Sequence, residues 1–430
     1  ERFAPFPETE IFMQHIDSNG NLSFVDNGEA VCDAQGFQFN PLVRNDGNGN
    51  VFAVWGDMRT GSIGLYVQHL SPSSGISLQE EGIELYFGID GNGLSAQSLY
   101  LGNNETLIYW EDRRLGVIAD LTYGQKVYDG WQDAVEPNGI KLCNNPYQVT
   151  PKAELGNLSG DILLGFGQAF GDIALHYQPL NNNLEMIGNT NEGIPVFESF
   201  TPQNNYDLAI NSIGDVYFVF SDQRNFIDSD IYLQKYSGFS NSFSEPLLIV
   251  DNFLKDDNVK FIETTSDDGC LIAYDSGDFG GTRAYLQALD SSGNILPAFS
   301  GGIRLSTNES DQFIKGLLKT DSGYFILWKD QRSGSSDLYA QMVSFDGTIL
   351  GPQDGFAITT AQNDQQDPTL TYNEVSNEIM VCWEDFRDGD DFDIYCVTVN
   401  EETLVVSDEI DLCTFSGNQK SPNVHSTLDG

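Results

Sequence analysis

Residues 381–396 read VCWEDFRDGDDFDIYC, six acids and one arginine enclosed by two cysteines. Asp388, Asp390, Asp391 and Asp393 crowd a single loop around a glycine, and alternating carboxylates of this kind are ligands for a hard cation such as Ca²⁺. The spacing lacks the full D-x-D-x-D-G run with a distal Glu. A solvated acidic hairpin has the same composition and is the favoured reading. Calcium at these four acids is the only cofactor the sequence suggests, and the loop holding Asp222, Asp228 and Asp230 is a weaker second candidate.

Other chemistry is sparse. Four histidines and no C-x-x-C pair leave no zinc pattern. No G-x-S-x-G, H-E-x-x-H or P-loop run occurs, and no catalytic residue is assigned. His15, His69 and His176 sit at or beside a recurring glutamine position and read as sheet residues. If the chain acted on a polysaccharide, carboxylates such as Glu154 and Glu263 would be the acid/base candidates. A lyase would use Tyr or His beside Lys or Arg. Cys32, Cys143 and Cys413 share one repeat position and read as buried fillers. Cys382 and Cys396 face each other across one hairpin and could pair, but free thiols are the expectation.

The acidic stretch is one copy of a repeat, which explains most of its acids. Trp55, Asp57 and Arg59 recur as Trp110, Asp112 and Arg114, as Phe220, Asp222 and Arg224, as Trp328, Asp330 and Arg332, and as Trp383, Asp385 and Arg387. With degenerate copies at Phe166 and Tyr274, the aromatic anchors follow one another every 54 to 56 residues. A second motif, Y-x-Q, follows each anchor, as in DIYLQKY and DLYAQMV, and an eighth copy (EIFMQHI, with Phe12 and Gln14) opens the chain. A catalytic group is needed once, so residues repeated at fixed offsets are scaffold. The Trp should fill the space between sheets, while the Asp and Arg bond each other or the acids that open the next strand, Asp120, Asp230, Asp337 and Asp393.

Each unit reads as four short strands separated by Gly, Asn, Asp and Ser turns, with no helical periodicity. Repeated four-stranded units of this length make a β-propeller. The fold expected is all-β, a single propeller domain over 1–430, with eight blades favoured and seven the alternative. Residues 1–36 supply third and fourth strands and 418–430 a first strand, so both termini should share a closing blade. The opening ERFAPFPETE reads as a mature or trimmed start. The chain stops just before another W-x-D-x-R strand is due, so it reads as part of a longer polypeptide.

The charge limits the partners. Sixty-four acids against 20 Lys and Arg give a net charge of −44, which repels nucleic acid and anionic lipid surfaces. No window approaches 18 uninterrupted apolar residues, so no membrane-inserting segment is expected.

The W-x-D-x-R-x-G…D-[IL]-Y-x-Q unit resembles repeats of large secreted and surface proteins of Bacteroidetes-type bacteria, and the resemblance runs from Phe12 to the strand at Pro422. Two units depart from it, with Gln168 and Phe170, then Ser276 and Asp278, in place of Asp and Arg. The resemblance implies an extracellular or cell-surface address, export by type IX secretion, and a role in adhesion or surface assembly. A C-terminal sorting domain, frequent in such proteins, is not recognisable up to Gly430. The function expected is therefore a non-enzymatic module binding a surface protein or glycan, with a polysaccharide hydrolase or lyase as the alternative.

Overall fold

The computed structural model describes residues 9–17, 20–71, 75–76, 81–87, 96–112, 114, 121–128, 138–145, 148–156, 161–168, 174–188, 193–197, 201, 203–237, 240, 242–278 and 280–427. The apolar run before each W-x-D-x-R is a strand covered on both faces, as the all-buried Val51–Asp57 shows. It pairs on one side with the polar first strand and on the other with the Y-x-Q strand, and a short fourth strand completes the sheet. Seven such antiparallel sheets follow in order, within residues 38–87, 96–141, 148–195, 203–250, 256–304, 312–359 and 365–413. The protein is a seven-bladed β-propeller.

The expected eight blades are corrected to seven. The eighth Y-x-Q copy forms β1 (Ile11–Met13), which pairs only with β2 (Glu29–Cys32) in a two-stranded sheet. The motif marks a third strand, and a third strand without a second does not make a four-stranded sheet.

The repeated motif is a buried clasp. Trp55, Trp110, Trp328 and Trp383 are fully buried between sheets, each contributing about 2–3 kcal/mol by removal from water. Each indole N–H donates to the Asp two residues on, at 3.1 Å to Asp57, 3.3 Å to Asp112, 2.9 Å to Asp330 and 2.7 Å to Asp385. The same carboxylate accepts the backbone N–H of the following Arg and its guanidinium, the latter at 2.6 Å in Arg59–Asp57 and Arg332–Asp330. Each guanidinium then lies over the Tyr of its own Y-x-Q strand, 3.6–4.1 Å from the ring centre at Tyr66, Tyr123, Tyr232, Tyr339 and Tyr395. The expected Asp–Arg bond is thus present. The strand-opening acids Asp230, Asp337 and Asp393 sit instead directly across the hairpin from Asp222, Asp330 and Asp385, and Asp120 lies outside the described residues.

The degenerate copies keep the anchor and lose the clasp. Phe166 and Tyr274 remain buried, and in the fifth blade Arg283 reaches Glu309 at 3.0 Å instead. Cys382 and Cys396 form a disulfide, which corrects the expectation of free thiols. They are opposed in register with Cα atoms 4.1 Å apart, the close approach of a non-hydrogen-bonded antiparallel pair. Cys32, Cys143 and Cys270 are buried, as expected of fillers for the first two.

A glycine stands just before the fourth strand beneath Trp55, Trp110 and Trp328, where a side chain has no room, whereas Glu409 takes that place in the last blade. At Gly355 (φ +75°) a Cβ would meet the Trp328 ring at 2.3 Å, and at Gly82 (φ +81°) the Trp55 ring at 2.5 Å. Gly61 shares the left-handed backbone (φ +85°) with open space around it. Both Gly→Ala changes carry the backbone penalty, and only Gly355→Ala adds the ring clash. Gly355→Ala should therefore cost about 1–3 kcal/mol more than Gly61→Ala in denaturant unfolding; equal losses would show that the Trp packing tolerates the methyl.

Candidate functional site: the charged edge of the first strands

The first strands are the polar ones, and two features bring them side by side. Most carry a β-bulge, such as those between Phe39 and Leu42 and between Gln366 and Thr369, where Asn40 and Asp367 adopt positive φ. Backbone N–H groups at or next to these bulges are freed for neighbours. The residue between Trp and Asp of the preceding blade accepts one: Glu111 from Thr150 at 2.6 Å, Ser221 from Val259 at 3.0 Å, and Asp275 from Ile314 at 3.0 Å. In these three blades that residue holds the first strand of the next.

Alternate residues of these strands bring unlike charges together. Lys152 pairs with Asp207 at 2.7 Å, and Asp207 also accepts the Ile262 N–H of the next blade at 3.0 Å. Arg44 donates to Ser98 Oγ at 3.1 Å and to its carbonyl at 2.9 Å. Glu154 is half-buried among them. Burial pushes its carboxyl up to about 7, the Asp207 and Glu263 carboxylates add to the rise, and Arg44 and Lys152 oppose it. Burial pushes His425 down to about 4, helped by Arg44.

Glu154 and Glu263, the acid/base candidates from sequence, therefore share one electrostatic environment. Glu263, however, accepts the N–H (2.8 Å) and hydroxyl (3.2 Å) of Thr264 beside it. The nearby phenols are also engaged in the fold. Tyr109 accepts the Ala153 N–H at 3.0 Å, and Tyr206 donates to the carbonyls of Thr150 and Gly165. Arg44, Lys152, Asp207 and His425 were not singled out by sequence. Their only signal is position, alternate residues of first strands at repeat spacing.

The other sequence candidates lie elsewhere. Asp393 is buried, with its pKa raised by burial and then by Asp391 and Asp388. Asp391 accepts the Gly417 N–H at 2.6 Å, while Asp388 and Asp390 are exposed. Among the described residues no group of three or more His, Cys, Asp or Glu side chains is arranged to hold a metal ion. At the second loop, Asn225 bonds both Asp228 and Asp230. Burial, then Asp251 and Asp228, raise Asp230 to about 6. His69 bonds buried Asp46 at 2.9 Å and stacks on Phe52, His176 stacks on Phe166, and His15 bonds Ser23 at 2.8 Å.

No protein-family model matches the chain, and no curated protein matches it in sequence. Among the solved structures similar to it, two polysaccharide lyases share its fold. One, described as a new family of polysaccharide lyase, PL25 ulvan lyase, is 10% identical over 85% of this chain and 94% of its own, with a TM-score of 0.53. The other, polysaccharide lyase Uly1, is 8% identical over 80% of this chain and 86% of its own, with a TM-score of 0.51. At such identities the likeness is one of fold.

Glu154, Asp230 and Asp275 have pKa values raised on folding, to about 7, about 6 and about 6. For an acid raised in the folded state, stability is fully present below the unfolded pKa and is lost as pH rises through the folded value. The melting temperature should therefore fall between pH 4.5 and 7 and level off above. Glu154→Gln should flatten the upper part of that fall in melts at constant ionic strength, and an unchanged slope would remove Glu154 from the account.

Proposed function

We propose that this chain is an extracellular, non-enzymatic propeller that binds a surface protein or glycan within an adhesin or secretion-associated assembly, using the edge around Arg44, Lys152 and Glu154. The observation that carries the reading is the prior engagement of that edge. Asp207, Glu263, Tyr109 and Tyr206 already hydrogen-bond neighbouring strands or turns. The Lys152 side chain, 38% exposed, is a charge available to a ligand. The Cys382–Cys396 disulfide supports an oxidising compartment. The net charge of −44 supports a soluble module facing neutral or basic partners.

A second reading is hydrolysis of a glycan, and one observation favours it. Burial raises the Glu154 carboxyl to about 7, with Asp207 and Glu263 adding to the rise, and a raised carboxyl is what a general acid needs. The charge of the chain would direct such an activity to neutral polymers rather than polyuronates.

The two readings separate in a chromatographic product assay on neutral and anionic polysaccharides, paired with affinity electrophoresis on the same panel and capture on surface-protein extracts. Intact polymers, with retention by one ligand weakened about tenfold (about 1.4 kcal/mol) in Lys152→Ala, is the expected result. New oligosaccharides abolished by Glu154→Gln would replace the first reading with the second.

A further inference from the structure

The fourth blade breaks the repeat at a position where other blades carry glycine. In the W-x-D-x-R-x-G turn, Gly61, Gly334 and Gly389 take a left-handed backbone, with φ of +85°, +96° and +77°. A Cβ built there meets open space at Gly61 and Gly334, and only the Asn363 amide, at 3.6 Å, at Gly389. The fourth blade places Phe226 at this position, with φ of +60°. A bulky residue is strained in that conformation. The ring is 83% exposed, so no packing offsets the strain.

The connection to the fifth blade repeats the exception. Where other connections between sheets turn left-handed they use Gly36, Asn363 and Gly417, whereas this one uses Leu254 (φ +63°). Leu254 is 60% exposed, and the neighbouring Ile227 and Phe253 are 63% and 75% exposed. Among the described residues eighteen large apolar side chains are exposed, and six of them lie within residues 226–254. The two turns are tied together beneath these tips. Asp228 accepts the Leu254 N–H, the Ser229 N–H donates to Asp256 at 3.1 Å, and the Asp257 N–H donates to the Ser229 carbonyl at 2.7 Å. Asn225 bonds both Asp228 and Asp230. The tips therefore form one preorganised apolar knuckle.

Charge decides what can cover the knuckle. Asp251 and Asp256 are exposed beside it, and Asp228 and Asp230 lie buried below. Arg224 is held by Asp222 at 2.8 Å, which leaves Lys255 as the remaining cation of the two turns. A second copy of this chain would bring one charge of −44 against another, and an anionic membrane is repelled in the same way. A partner with an apolar face edged by Lys and Arg complements both the exposed side chains and the carboxylates around them.

We propose that Phe226, Ile227, Phe253 and Leu254 form a docking knuckle for a protein partner whose apolar surface is edged by basic residues. Folding gains nothing from these exposed side chains, whereas binding removes them from water. The strained backbone at Phe226 and Leu254 holds them outward before the partner arrives. The surface shares no residue with the first-strand edge, and the proposal does not rest on the reading of that edge.

Three labelled peptides probe the knuckle by fluorescence anisotropy at about 0.15 M salt. KLLKLLKKLLKL is apolar and cationic, KSSKSSKKSSKS cationic alone, and ELLELLEELLEL apolar and anionic. The first should bind about tenfold more tightly than either of the others. Phe226→Gly combined with Phe253→Ser should bring it to within about twofold of the second. Phe226→Gly alone, which restores the residue of the other turns, should leave the melting temperature unchanged or raised. Persistence of the preference in the double variant would overturn the knuckle as the site, and a fall in melting temperature for Phe226→Gly would make its ring structural. Equal binding of the first two peptides, or of the first and third, would overturn the basic apolar partner. So would a dimer in sedimentation that the double variant abolishes, pointing to a second copy. Binding to phosphatidylcholine vesicles that the double variant abolishes would overturn it too, pointing to a membrane.

Discussion

A buried carboxylate that accepts an indole N–H, a backbone N–H and a guanidinium underlies the whole structure. Taken alone, a charged Asp in this position would cost several kcal/mol. Here it is neutralised by an arginine four residues from the Trp, and that arginine is covered by a tyrosine of the next strand. Burial pushes Asp57 and Asp330 up, but the bonds from Arg59 and Trp55, and from Arg332 and Trp328, outweigh it and hold both below the ordinary range. The clasp locks the turn after the second strand and orients the Trp into the next sheet, and beneath Trp55, Trp110 and Trp328 the ring leaves room only for a glycine. Where it is lost, at Phe166 and Tyr274, the buried anchor alone preserves the blade.

The electrostatics of the first-strand edge follow from that arrangement. Where the residue after the anchor (Glu111, Ser221 or Asp275) holds the next blade's first strand, polar side chains from separate blades are brought within reach of one another. Glu154 then lies in a half-buried setting with two carboxylates and two cations nearby, which keeps its carboxyl poised near neutrality. Asp275, more deeply buried, is raised to about 6 despite Lys260 at 3.2 Å. In both cases desolvation outweighs pairing. The edge is a by-product of a repeated scaffold made specific by the few residues that differ between repeats.

Repetition made the scaffold legible. An aromatic anchor every 54 to 56 residues, with Asp and Arg at fixed offsets in most copies, implied four-stranded units, and each such unit became a blade. The miscount came from the same logic. Phe12 and Gln14 satisfy the third-strand pattern, yet a strand is defined by its partners, and β1 has only one. The disulfide was missed for a related reason, since facing cysteines pair only where the register gives the close Cα approach seen between Cys382 and Cys396. The acids at Asp388–Asp393 were conspicuous in the sequence, whereas Arg44, Lys152 and Asp207 were not, because no local motif surrounds them.

The sequence by itself determined the all-β class, the repeat, the buried aromatic anchors and the Asp–Arg clasp, because these depend on contacts within one unit and its hairpins. Tertiary structure decided the number of complete sheets, the disulfide, and the meeting of Glu154 with Asp207 and Glu263. Apart from the disulfide, whose cysteines are 14 positions apart, those features arise between residues some 50 to 400 positions apart, such as Lys152 with Asp207 and Val43 with Asn423. Such distant juxtapositions are set by how blades pack on one another, and side-chain spacing along the chain carries no record of them.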